Sequence, residues 1–172
     1  MKTKFFKSLV VSLFMLLSAC GKEEQSDICK TEWELWNLAV EKANLADFIL
    51  ESEKEDAQLN ICLCENKDKH YCLDSMHAFV DELKNVEYKE MSQDQFTKRE
   101  DERTIVDACY KGTLYCFLLK ESLTAFTIKS FIKNPYSRYN ITFDKGYEIS
   151  KETGEKLLGF VKDMIEEQED VQ

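Results

Sequence analysis

Turn-making residues are scarce in this chain: 172 residues contain one proline, Pro135, and five glycines. Sandwiches and barrels of many short strands turn about every ten residues, and Gly and Pro make tight turns at the least steric cost. The scarcity therefore points to helices. The expected fold is mainly α, a small disulfide-braced helical domain with a short C-terminal β-hairpin. The alternative is an α+β fold with a small antiparallel sheet formed from 114–149.

The first nineteen residues fall into three parts. Lys2, Lys4 and Lys7 make a positive start, and Leu9 to Leu17 is apolar. That run is about half the ~20 residues a spanning helix needs, so it reads as a removable leader. Leu17-Ser18-Ala19-Cys20 closes it with small residues and a cysteine, and there the chain resembles the lipobox of bacterial lipoproteins. The resemblance covers about residues 1–21. It implies thioether lipidation of Cys20, cleavage before it and acylation of the new amino terminus. One acyl chain anchors marginally and two or more hold firmly, so such a cysteine is a stable membrane anchor. Gly21 stands where an inner-membrane retention signal would commonly place Asp, which by analogy puts the protein on the outer membrane, facing the periplasm. The expected organisation is a leader at 1–19, the lipidated cysteine and a polar tether at 20–28, a single periplasmic domain at 29–167 and an acidic tail at 168–172.

Six cysteines follow Cys20: Cys29, Cys62, Cys64, Cys72, Cys109 and Cys116. An even count in an exported domain reads as a disulfide framework, because the periplasm is oxidising. Cys62 and Cys64 suit each other poorly, since extended backbone sets their Cα atoms near the ~7 Å limit for a bridge. Among the pairings left open, the preferred set is Cys29–Cys62, Cys64–Cys72 and Cys109–Cys116, with no free thiol. An alternative use is a metal site of Cys62, Cys64, His70 and Cys72, whose sulfur and imidazole donors suit zinc or copper. The spacing matches no common zinc module and oxidation would consume the thiolates, so no cofactor is expected. A Cys-X-Cys redox site is disfavoured because the cysteines of thiol oxidoreductases usually sit two residues apart at a helix start.

Apolar spacing outlines the elements. Thr31 and Glu34 fit a capping box ahead of Trp36, Ala39, Val40, Ala43, Ala46 and Leu50, which predicts a first helix over about 32–53. Asp74 can cap a second helix whose stripe is Met76, Phe79, Val80, Leu83 and Val86. Ser92 with Gln95 opens a third, expected to reach about Tyr110, with Gly112 as its left-handed stop. Residues 113–133 suit a buried helix or a buried strand, because a continuous apolar run has no diagnostic period; helix is the favoured reading. Asp144-Lys145-Gly146 reads as a hairpin loop between Tyr139–Phe143 and Tyr147–Ile149. Ser150 caps a last helix striped by Leu157, Leu158, Val161, Met164 and Ile165.

Charge narrows the partners. The chain holds 23 Lys and Arg against 33 Asp and Glu, and loss of the three leader lysines takes it to −13. Such a surface repels phosphate backbones, which argues against nucleic acid and favours a cationic partner. The contact residues expected for that partner are Glu51, Glu53, Glu55 and Asp56 on the first helix and Glu100, Asp101 and Glu102 on the third. No Gly-x-Ser-x-Gly elbow, phosphate loop or His-Glu-x-x-His helix occurs, and His70 and His77 are the only histidines, so no catalytic residue is named. Trp33/Trp36 and Tyr136/Tyr139 sit at near-helical spacing and read as core rather than as a groove lining.

The leading functional expectation is a membrane-anchored lipoprotein that binds a protein partner, in outline like immunity proteins or inhibitors against a cationic toxin or cell-wall hydrolase. The alternative is an accessory or structural lipoprotein of the envelope; a metal-binding or thiol-redox protein comes third. The anchor is directly testable. Cys20→Ala should abolish incorporation of labelled fatty acid and leave uncleaved precursor or a soluble form, whereas a wild-type chain that takes up no label would overturn the lipobox reading.

Overall fold

The computed structural model describes residues 31–51, 53–54, 58–64, 71–73, 77–110 and 115–169, with the backbone alone at 71–73, 77 and 168–169. The elements in chain order begin with α1 (31–42), α2 (Leu45–Glu51), β1 (Leu59–Leu63), β2 (Tyr71–Leu73) and α3 (His77–Lys84). Then come β3 (Lys89–Glu90), α4 (Gln93–Arg99), β4 (Thr104–Tyr110), β5 (Tyr115–Lys120), β6 (Ala125–Ile132), β7 (Ile141–Glu148) and α5 (Lys151–Glu169). The strands form one seven-stranded sheet in the order β2-β1-β4-β5-β6-β7-β3, and every neighbouring pair is antiparallel. Strands β4 to β7 are a meander. The β1–β2 hairpin borders it on one side, and β3 crosses to the far edge.

This α+β architecture replaces the mainly α fold expected from the turn residues. The sheet runs from Leu59 to Glu148, well beyond the 114–149 of the alternative reading. The third helix stops at Arg99, although its Ser92–Gln95 capping box forms as expected. Thr104, Ile105 and Val106 are β-branched, stiff at χ1 and at home on a pleated surface. Beyond them Val106, Ala108 and Tyr110 are buried while Asp107 and Cys109 are only half-buried, the two-residue period of a strand. Residues 115–120 and 125–132 are strands, not helix. β5 is interior to the sheet and five of its six residues are buried, which is why its sequence does not alternate.

No hairpin loop forms at Asp144-Lys145-Gly146, because β7 runs straight through it. Gly146 is there to make room. A Cβ at this position would lie 2.6 Å from Phe96 Cδ2 and 3.1 Å from Met91 Sδ, so glycine lets α4 seat its phenylalanine against the sheet. The turn between β5 and β6 does without glycine, and Leu123 takes a positive φ of 59°.

The first helix is also interrupted. Asn44 breaks it by accepting the Asp47 amide at 2.8 Å and donating to the Glu41 carbonyl at 2.7 Å, so its side chain caps α2. Ser150 caps α5 as expected, taking the Thr153 amide at 3.1 Å, and Leu157, Val161 and Ile165 bury the predicted stripe. That helix continues to Glu169, past the expected start of the acidic tail. The second helix forms as α3 with Phe79, Val80 and Leu83 buried; its Asp74 and Met76 lie outside the described residues.

Helices cover one face of the sheet. Phe117, Phe126 and Tyr147 stack across β5, β6 and β7 with ring centroids 4.9 Å apart at each step, and Phe48 of α2 and Phe79 of α3 pack on Phe117. The Tyr147 phenol oxygen accepts the Leu45 amide at 3.1 Å, an N–H at the start of α2 with no partner in its own helix. The Ser130 hydroxyl donates to the Ala39 carbonyl at 2.6 Å and fastens α1 to β6. Helix α4 lies on the opposite face, over Gly146.

Two glycines of α5 separate packing from helix propensity. A Cβ on Gly154 would fall 1.9 Å from the Leu123 carbonyl oxygen, whereas one on Gly159 meets nothing within 4 Å. Gly154→Ala should therefore destabilise by about 1–3 kcal/mol or more. Gly159→Ala should stabilise by about 0.5–1 kcal/mol through its better helix propensity. Urea denaturation of the two variants should move the midpoint in opposite directions.

Candidate functional site

Three surfaces gather chemistry-bearing residues. The first is the sheet face away from the core, at the β1–β4–β5 side. Backbone register sets Cys72, Asn60, Cys109 and Cys116 in one row across four strands, and the same row continues to Lys129 and Asp144. Cys109 and Cys116 form a disulfide across the β4–β5 hairpin, with Cα atoms 4.2 Å apart. This is one of the preferred bridges of the sequence reading, and it ties two strands together where the end of the third helix was expected.

One register step away, Cys62 of β1 faces Asp107 of β4. Cys62 is buried and carries a free thiol, so the expectation that all six cysteines are bridged fails here. Unlike Cys109, which stands opposite Cys116, Cys62 in the sheet stands opposite Asp107 of β4 and not opposite a cysteine. Its preferred partner Cys29 lies outside the described residues, as does the side chain of Cys72. Burial pushes the Cys62 thiol above its ordinary value, and the Asp107 carboxylate pushes it further in the same direction. Both effects keep it protonated and weakly nucleophilic.

Of the alternative metal set, Cys62 and Cys64 lie on and just after β1, the Cys72 backbone pairs with Asn60, and His70 falls outside the described residues. The donor atoms that do converge are those of Asp107, Cys109 and Cys116, within 4.8 Å of one another. The disulfide occupies both sulfurs, so neither Cys109 nor Cys116 offers a thiolate ligand in this state.

The second surface is a polar cleft between the end of α3, β3 and the start of α5. Glu82, Lys89, Glu148 and Lys156 give it both signs of charge, and Tyr88 stands at its side. Lys156 Nζ lies 2.6 Å from Glu82 Oε2, which ties α5 to α3 across the cleft.

The acidic residues expected to meet a cationic partner are less available than their count suggests. Glu51 is buried and ion-paired with Lys54, and Glu102 is half-buried beside Arg99 at 3.9 Å. Glu53, Glu100 and Asp101 are exposed, while Glu55 and Asp56 lie outside the described residues. Glu100, Asp101 and Glu102 belong to the turn after α4 and not to a helical face.

The third surface was hidden by reading aromatic spacing as core. Trp33 and Trp36 of α1 are 65% and 41% exposed, and Tyr136 and Tyr139 of the β6–β7 loop are 57% and 65% exposed. Helix α1 turns Ala39 and Ala43 inward, and Trp33, Trp36 and Val40 form a stripe along the flank of that buried face. The stripe meets the sheet where the Trp36 ring stands edge-on to Phe143, centroids 5.5 Å apart. The loop is tied to the same helix, because Asn134 Nδ2 donates to Glu32 Oε1 at 3.4 Å. Arg138 covers the Tyr139 ring at 4.8 Å. The sequence signal is the pair of alanines: Ala39 in α1 and Ala43 just after it are the fully buried positions here, and both indoles lie off that face.

Comparison with known proteins gives no match: no family model fits the chain, and no curated sequence and no solved structure matches it.

The Cys62–Asp107 pairing makes a kinetic prediction. At pH 8 the folded protein should alkylate slowly at Cys62, and Asp107→Asn should speed that reaction without abolishing the protection, since burial is the larger cause. Peptide mapping of alkylated Cys62 over a time course measures both rates.

Proposed function

We propose that this protein is a lipid-anchored accessory module of the bacterial envelope, held on the outer membrane by Cys20 with its domain facing the periplasm. Support begins with Leu17-Ser18-Ala19-Cys20 and Gly21, whose order and position resemble a lipobox without an inner-membrane retention residue. Among the described residues no helix is long and apolar enough to cross a membrane, so an acylated cysteine would be the attachment those residues do not themselves supply.

The observation that carries the accessory reading is the exposed aromatic surface. Trp33 lies two residues into α1, at the end of the domain the tether enters, and Tyr136 and Tyr139 are exposed on a loop bound to that helix. Large amphipathic rings left in water at one end of a rigid sheet suit docking better than chemistry. Electrostatic capture of a cationic toxin or hydrolase draws less support, since Glu51 and Glu102 are withdrawn from the acidic surface it relied on.

Separation of inner and outer membranes on a density gradient tests the placement. Wild-type protein should travel with the outer membrane, and Gly21→Asp should move it to the inner membrane. Recovery of wild-type protein in the soluble periplasmic fraction would overturn the anchored reading.

A further inference from the structure

We propose that the aromatic surface of α1 and the β6–β7 loop is a bilayer-docking face, which rests the domain against the membrane that holds its anchor. The inference rests on the anchored reading and adds an orientation to it. Its residues are Trp33, Trp36 and Val40 on one stripe of α1, Phe143 against Trp36, and Tyr136 and Tyr139 on the adjoining loop.

Chain length is the first argument. Eleven residue steps separate Cys20 from Thr31, where α1 begins, and fully extended they span at most about 40 Å. Trp33 is therefore confined to a shell of that depth above the lipid. A tether this short gives the surface an effective concentration of roughly millimolar against the bilayer, so contacts too weak to bind a free domain suffice for an anchored one.

Residue chemistry is the second. Trp and Tyr concentrate at the headgroup level of membranes, because each ring pairs an apolar body with one polar group. Leu, Ile and Phe dominate the buried core of this domain, and the two Trp are both outside it. Local charge is the third. The chain as a whole is strongly acidic, yet in formal charge Lys133 and Arg138 of the loop offset Glu32 and Glu34 of α1, which brings this end close to neutral. A near-neutral aromatic face meets zwitterionic headgroups without repulsion. An anionic surface would repel the rest of the domain.

The sequence supplies its own probe, since Trp33 and Trp36 are the only tryptophans in the chain. The test reconstitutes lipidated protein into vesicles of phosphatidylethanolamine and phosphatidylcholine, with part of the phosphatidylcholine brominated on its acyl chains. Docking should shift tryptophan emission to shorter wavelength and quench it roughly twofold relative to the unlipidated Cys20→Ser chain freed of residues 1–19. Tyr136→Ser with Tyr139→Ser, which keeps both reporters, should reduce the quenching while the protein still floats with the vesicles. Protein that floats but emits like the Cys20→Ser chain overturns the docking face and leaves the anchor standing. Protein that does not float overturns the anchor, and the docking with it. A blue shift that follows protein concentration in the absence of vesicles assigns the surface to a second copy of the chain and overturns the bilayer as its occupant.

Discussion

The stack of Phe117, Phe126 and Tyr147 is the interaction on which the rest of the domain depends. Three rings from three adjacent strands lie face against face down the middle of the sheet, and α2 and α3 each place a phenylalanine on Phe117. Phe48 sets α2 against Phe117 and Tyr110, Phe79 sets α3 against Phe117, and Tyr88 sets the approach to β3 against Tyr147 at 5.3 Å. Each such aromatic pair adds about 0.5–1.5 kcal/mol beyond the area it buries. Tyr147 also supplies a polar contact inside this apolar layer. Burial pushes its phenol up to about 12, so the ring stays neutral while its oxygen accepts the first amide of α2.

The two faces of the sheet do different work. The core face is closed by helices, and there the Ser130 hydroxyl donates to the Ala39 carbonyl. The other face is covered by α4 at the β7 end, where Gly146 admits Phe96, and is half-buried at the β4 end, where Asp107 and the Cys109–Cys116 bridge lie. A cross-strand disulfide on that side ties together the β4–β5 hairpin that the rest of the meander extends. Burial and the acidic neighbour both push the thiol of Cys62 beside it above its ordinary value. These cysteines therefore read as sheet chemistry in the present state.

Legibility in the sequence followed the range of the forces involved. Local chemistry read correctly: the Ser92–Gln95 capping box, the Ser150 cap, the stripe of α5 and the bridge across seven residues between Cys109 and Cys116 all formed. Each depends on groups within a few residues of one another. The misread elements depend on distant ones. Residues 104–110 are a strand because β1 and β5 lie on either side, and Asp144-Lys145-Gly146 is straight because Phe96 packs from fifty residues upstream. The aromatic pair Trp33/Trp36 has the spacing of core, but helical spacing tells which residues share a face and not which face is covered.

By itself the sequence determined the net acidity, the helix caps and the amphipathic C-terminal helix, because each is written in neighbouring residues or in a simple count. Tertiary structure decided the fold class. Strand pairing is a non-local choice, and an interior strand such as β5, buried on both faces, carries no period by which to announce itself. Tertiary structure likewise decided which cysteine remained a thiol and which aromatic rings remained in water. Both are settled by what a residue meets across the sheet, and for Cys62 that is Asp107, while for Trp33 it is solvent.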